Sequence, residues 1–180
     1  MNHFEVDAAL RTVTILVDTR EQHTKIFERR MSIIGYPYER IKLDCGDYSI
    51  KCMVGETEYS LADSCVIERK YSIDELCMCF GSERKRFERE FERAKNNGCR
   101  IYLLVEDASW EKILAGKYRS KFNPTALTAS ILAWMARYDL KVVFCSELVA
   151  GVMIKEILYR ELKERLSGVT KWEGHQMEIT

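Results

Sequence analysis

The sequence predicts an α/β domain with a central mixed sheet flanked by helices. Two observations lead there. Apolar, β-branched runs of strand length recur at 12–17, 65–70, 100–105 and 141–145. Stretches with helical spacing follow them, and such alternation builds a sheet that is parallel in large part. Between the first two runs, residues 36–70 carry shorter alternating segments and turn residues, which predict antiparallel hairpins.

The elements follow in order. Residues 1–11 read as a loose lead-in to a domain at 12–166. The strand at 12–17 ends in Asp18-Thr19-Arg20-Glu21, an abrupt switch to charge. A helix beginning near His23 carries Ile26, Phe27, Arg30, Ile33 and Ile34 and stops at Gly35. A strand at 36–43 leads into the tight turn Asp44-Cys45-Gly46-Asp47, where the glycine implies a defined bend. A strand at 48–53, a hairpin loop at 54–57 and a return strand at 59–61 precede the strand at 65–70. Residues 72–80 form a short helix broken by Gly81. Residues 82–97 form a longer one, with Phe87, Phe91 and Ala94 on its apolar face. After the strand at 100–105 come the acids Glu106 and Asp107, a short helix at 110–114 and a basic loop. Asn123 caps a helix with Pro124 at its first position, running to about Tyr138. Ser146 caps a last helix from Glu147 to about Leu166. The tail at 167–180 has no periodicity and is expected to be disordered.

The chain has 180 residues, 47% hydrophobic and 31% charged, enough for one full core. No apolar run approaches bilayer length, and the first residues lack a signal peptide's pattern, so an intracellular protein without membrane contact is expected. Seven cysteines without a secretion signal argue for reduced thiols, and Cys77-Met78-Cys79 has no second pair to complete a zinc site. No Gly-rich phosphate loop is present, so no nucleotide cofactor is expected. Net charge is zero, so any affinity for nucleic acid must come from a local patch.

The chemistry concentrates at strand ends. Side chains alternate along a strand, so Glu68 and Lys70 share a face while Arg69 points to the other. A carboxylate can hold a divalent cation, and the lysine beside it can steady an attacking water or a developing oxyanion. Asp18 with Glu21, Asp47 and Glu68 all follow or end strands. Singly, such residues also serve as helix caps, turn residues or ordinary ion pairs. Converging, they need a cation, and all-oxygen ligands suit Mg²⁺ or Mn²⁺.

Gly46-Asp47 followed by Glu68-Arg69-Lys70-x-x-x-Asp74 resembles the signature of the XPF family of structure-specific DNA endonucleases. Val17-Asp18-Thr19-Arg20-Glu21 resembles that family's first motif, and the order of elements agrees across about residues 12–165. The resemblance implies a restriction-endonuclease-like core that hydrolyses DNA with Mg²⁺ or Mn²⁺. Asp47 and Glu68 would be the central metal ligands. Asp18 would support the metal directly or through water, with Arg20 and Glu21 close by. Lys70 would position water or stabilise the phosphate. Arg69 would contact the phosphate or hold the site together, and Asp74 would be a further acid. The resemblance also implies pairing through the nuclease domain, as a homodimer or with a heteromeric partner. Trp134, Met135 and the last helix offer a candidate dimer face. Residues 146–180 lack the Gly-containing pattern of the helix–hairpin–helix module that many members attach, and from which the family often draws its preference for branched or flapped DNA. For DNA contact the candidates are Arg20, Arg69, Arg86 and Arg89, with Arg119 and Lys121 of the basic loop. Arg86, Arg89 and Arg93 share a helix face bordered by Glu90, a pattern that also suits a solvated face. A non-catalytic scaffold subunit, or action on RNA, is the alternative.

Overall fold

The computed structural model describes residues 1–168, so the expected tail lies outside the described residues from 169 onward. Its strands are β1 (Thr14–Asp18), β2 (Tyr38–Ile41), β3 (Tyr48–Val54), β4 (Thr57–Ser60), β5 (Cys65–Lys70), β6 (Arg100–Glu106) and β7 (Lys141–Cys145). Its helices are α1 (His3–Leu10), α2 (Lys25–Ile34), α3 (Ile73–Phe80), α4 (Arg84–Asn96), α5 (Trp110–Leu114), α6 (Pro124–Tyr138) and α7 (Glu147–Leu166). The mixed sheet is ordered β2-β1-β3-β5-β6-β7, with β4 paired to β3.

The lead-in is a correction. Residues 3–10 are a helix, opened by a reciprocal capping box between Asn2 and Glu5. Val6, Ala9 and Leu10 are buried in the same core as β1 and α7. So short a helix is marginal by itself and owes its existence to that packing, which the local sequence does not display. The return strand also starts earlier than expected, at Thr57, because the turn is confined to Gly55 and Glu56.

Strand direction decides where the chemistry gathers. β2 pairs parallel with β1, and β5, β6 and β7 are mutually parallel. β3 is antiparallel to both β1 and β5. The C-terminal ends of β1, β5 and β6 therefore share one edge with the N-terminal end of β3. That edge holds Asp18, Asp47, Glu68 to Lys70, and Glu106.

Helices cover both faces of the sheet. α1, α2 and α7 pack on one face, where Ile15, Val17, Ile50 and Leu158 are buried together. Gly151 lets α7 lie close to α2, since a Cβ there would sit 3.0 Å from Arg30 O. On the other face α3, α4 and α6 surround Trp134, whose ring centroid lies 4.9, 5.1 and 5.0 Å from those of Phe80, Phe87 and Phe91. Trp134 is fully buried, so it forms no part of a dimer face, and Met135 packs against the same cluster.

One polar cluster ties α7 to β6. Glu161 Oε1 accepts hydrogen bonds from Arg100 Nη1 and Tyr102 Oη, both at 2.6 Å. Burial alone would push the Glu161 carboxyl up, but those two donors outweigh it and hold it below its ordinary range. Glu161→Gln leaves Arg100 half-buried without its partner and is expected to cost about 2–3 kcal/mol at pH 7. Because the folded value is the lower one, this stabilisation is full above the unfolded value, about 4.3, and is lost as pH falls through the folded value. Urea unfolding should therefore separate wild type from variant at pH 7 and bring them together in acid.

Candidate active site

Alternation along β5 sorts its last residues onto two faces. Val66 packs in the core beneath α3 and α4, so Glu68 and Lys70 emerge on that side. Cys65 and Ile67 pack in the opposite core, and Arg69 follows them. Lys70 Nζ donates to Glu68 Oε1 at 2.6 Å and lies 3.6 Å from Glu75 Oε1. It also sits 5.3 Å from the centre of the Phe87 ring. Burial favours the neutral amine, but Glu68 overrides it and pushes the Lys70 pKa up. Lys70 is thereby held as a charged ammonium that donates to Glu68.

Asp47 joins this pair through the backbone. Its N–H donates to Ile67 O at 2.8 Å, and its Oδ2 accepts from Arg69 N at 2.8 Å. Burial and the neighbouring Glu68 push its carboxyl well up, against the opposing pull of Lys70 and the Arg69 N–H. Two carboxylates on one face, short of positive charge, suit a hard divalent cation. Mg²⁺ commonly takes only one or two protein carboxylates and completes its shell with water and phosphate oxygens. Among the described residues no three His, Cys, Asp or Glu side chains are already gathered tightly enough to hold a metal. The Asp47–Glu68 pair fits the implied cation, as a half-built site.

Asp18, expected to support the metal directly or through water, ends β1. It lies at the same edge, with its N–H donating to Asp47 O at 2.9 Å. Its carboxylate, however, is filled by protein donors. Oδ1 accepts from Arg20 N and Nε at 2.7 and 2.6 Å, and Oδ2 accepts from Leu43 N at 2.7 Å. Burial pushes the Asp18 carboxyl up, but these bonds prevail and hold it low. Its visible work is to fasten the β1 end to the loop after β2 and to orient Arg20, whose side chain is 58% exposed.

The other face carries a closed ion network. Glu21 Oε1 accepts from Tyr48 Oη at 2.8 Å, Arg30 Nη1 at 3.0 Å and Arg69 Nη2 at 3.2 Å. Glu106 Oε1 lies 3.2 Å from Arg69 Nη1 and 3.5 Å from Arg30 Nη2. The Arg69–Glu106 contact is an ion pair by distance without hydrogen-bond alignment, since Nη1 has no hydrogen-bond partner. Glu21 bonds to this network and not to Asp18's carboxylate, and of the two roles expected for Arg69 its guanidinium, 14% exposed and committed to two glutamates, takes that of holding the strand ends together. Arg69 reaches the candidate site through its backbone N–H.

Asp74 also has protein partners. Its Oδ1 accepts from Ser120 N at 2.6 Å and its Oδ2 from Arg119 Nε at 3.3 Å, so it anchors the basic loop to α3. Arg119 is 88% exposed there, and Lys121 is exposed on the same loop. On α4, Arg86 pairs with Glu83, and Arg86, Arg89 and Arg93 all face solvent as their spacing predicts.

The ERCC4 domain model matches residues 17–150. The chain belongs to the ERCC4 domain family. The XPF resemblance read from its motifs is thereby borne out, and this is a nuclease-type domain. XPF from Aeropyrum pernix has the same fold, with a TM-score of 0.57 at 21% identity, covering 93% of this chain and 66% of that one. XPF from Aeropyrum pernix in complex with DNA gives 0.56 at 20% identity, covering 87% and 65%. Both likenesses bear out the restriction-endonuclease-like mixed sheet, and this chain spans under two thirds of each matched chain. No curated protein matches the sequence.

Within this ERCC4 domain, two charges named in the sequence prove to be buried, which their residue types did not suggest. Arg30 lies in the apolar register of α2 with Phe27, Met31 and Ile34. Glu90 lies in that of α4 with Phe87, Phe91 and Ala94, buried rather than bordering the basic face. The signal available for both was a charge at the i+3 position of an i, i+4, i+7 apolar set. Gly46, by contrast, was legible. Its φ is +73°, and an added Cβ would lie 2.8 Å from Val66 Cβ and 3.1 Å from Ile67 O. Gly46→Ala is expected to cost about 2–4 kcal/mol from the left-handed backbone and the clash together, read as a lowered thermal midpoint.

Proposed function

We propose that this ERCC4 domain is a divalent-cation-dependent DNA endonuclease whose reacting edge is Asp47, Glu68 and Lys70. The observation that carries the reading is a pair of carboxylates short of positive charge, with a protonated lysine 2.6 Å from one of them. Mg²⁺ or Mn²⁺ held by Asp47 and Glu68 would supply Lewis-acid polarisation of the scissile phosphate. The residues themselves do the rest. Glu68 fixes the Lys70 ammonium, and the Phe87 ring packs near it, so its protons point within a restricted volume. There Lys70 donates to a phosphate oxygen or orients the attacking water as negative charge develops. The Arg69 N–H holds one oxygen of Asp47 and leaves the other for the cation.

DNA as the substrate is supported by the motifs, by the DNA-bound Aeropyrum pernix XPF of the same fold, and by exposed basic residues around this edge. Arg20, Arg86, Arg89, Arg119 and Lys121 would meet phosphates and set register without reading bases. Branched or flapped DNA is the proposed substrate class. Two copies would pair through faces that include the exposed Leu132 of α6 and Leu148, Val149 and Val152 of α7. Sedimentation of wild type and Val152→Glu checks the pairing: the variant should shift to monomer.

Cleavage of labelled single-stranded, duplex, flapped and four-way DNA with Mg²⁺, Mn²⁺ or chelator checks the activity. Cutting should require metal and fall at least about 10³-fold in Asp47→Ala or Lys70→Ala, as expected when a group that stabilises developing charge is removed. Arg89→Ala should instead weaken binding and flatten its salt dependence by about one phosphate contact. A folded wild type that binds DNA yet cuts nothing would replace this reading with that of a scaffold subunit.

A further inference from the structure

Five acidic side chains are buried in the described structure, and four have partners. Asp18 holds Arg20, Glu68 holds Lys70, Glu106 lies against Arg30 and Arg69, and Glu161 holds Arg100 and Tyr102. Glu90 is the exception. The residue is 9% exposed, and its carboxylate oxygens, which keep some contact with solvent, make no hydrogen bond or ion pair with any described residue. A carboxylate on a largely buried residue, without a cationic partner, is costly to keep charged, and such groups concentrate at functional sites. Its place is informative. Phe87 lies one turn earlier on the same α4 face, and the Lys70 ammonium sits 5.3 Å from that ring. This turns Glu90 toward the Glu68–Lys70 end of β5.

We infer that Glu90 is the third carboxylate of the cation site, contributed by α4 to face Asp47 and Glu68. The inference rests on the proposed cation dependence and deepens it. Asp18 is poorly placed for the part, because Arg20 and Leu43 already fill both its oxygens. Glu90 has both oxygens free and a flexible side chain able to close on a cation, which accounts for the absence of a preassembled three-acid cluster. Arg20, Lys70 and Arg86 are the positive groups around it, and each is already paired with another acid, Asp18, Glu68 and Glu83 in turn. What Glu90 lacks is a cation from outside the chain.

The test measures Mn²⁺ binding to the whole chain, by calorimetry and by the electron spin resonance of free Mn²⁺, without DNA. Wild type, Asp47→Asn, Glu90→Gln and Glu90→Ala are compared. Glu90→Gln keeps the shape and removes the charge, and should weaken Mn²⁺ about 10- to 100-fold. In chelator its thermal midpoint should equal or exceed that of wild type, because an unpaired buried charge is gone, and its gain on adding Mn²⁺ should shrink. Wild-type Mn²⁺ affinity in Glu90→Gln, alongside loss in Asp47→Asn, would overturn the role of Glu90 and leave the parent reading intact. A lower midpoint of Glu90→Gln in chelator would overturn it too, by revealing a structural partner. Failure of wild type itself to bind Mn²⁺ would bring down the cation-dependent reading from which the inference follows.

Discussion

The junction between β3 and β5 holds the candidate site together. The two strands share a single paired position, Tyr48 with Ile67, so the ladder there is short. What reinforces it is Asp47 itself. Its N–H reaches Ile67 O, and its carboxylate takes the N–H of Arg69. Gly46 lets the turn press against Val66, where any side chain would collide. The proposed ligand Asp47 is thus also a structural clamp, and its position relative to Glu68 is set by backbone geometry more than by side-chain packing.

Electrostatics divides the two faces of this edge. On the α2 and α7 side, Arg30 and Arg69 meet Glu21 and Glu106 in a network whose charges balance. That balance makes it a strut: it locks the ends of β1, β5 and β6 to α2 and has no spare charge for a ligand. On the α4 side the balance fails. Asp47, Glu68 and Glu90 stand against Lys70, while Arg20 is already spent on Asp18. That shortfall of positive charge is what the proposed cation would offset.

Much of this was readable along the chain. The strands and their acidic ends, the bend at Gly46, and the split of Glu68 and Lys70 from Arg69 all follow from periodicity and backbone conformation. Those are local properties, and the structure agrees with each of them. The helix at residues 3–10 was not readable, because its stability lies in contacts with β3 and α7. The destinations of Glu21, Arg69 and Asp74 were not readable either. Each carries the right charge for the site, and each is captured by a partner from a distant part of the chain.

The sequence alone determined which residues could do metal-assisted chemistry, on which strand ends they stand, and which face each takes, since these depend on side-chain type and a period of two. Only the tertiary structure decided which of those acids remain free. Arg20 with Leu43, Arg30 with Tyr48, and Ser120 with Arg119 took up Asp18, Glu21 and Asp74, and left Asp47, Glu68 and the unforeseen Glu90 without enough positive charge. Charge is written into the sequence. Its compensation is a matter of distance, and distance between residues far apart in the chain exists only once the strands have been laid side by side.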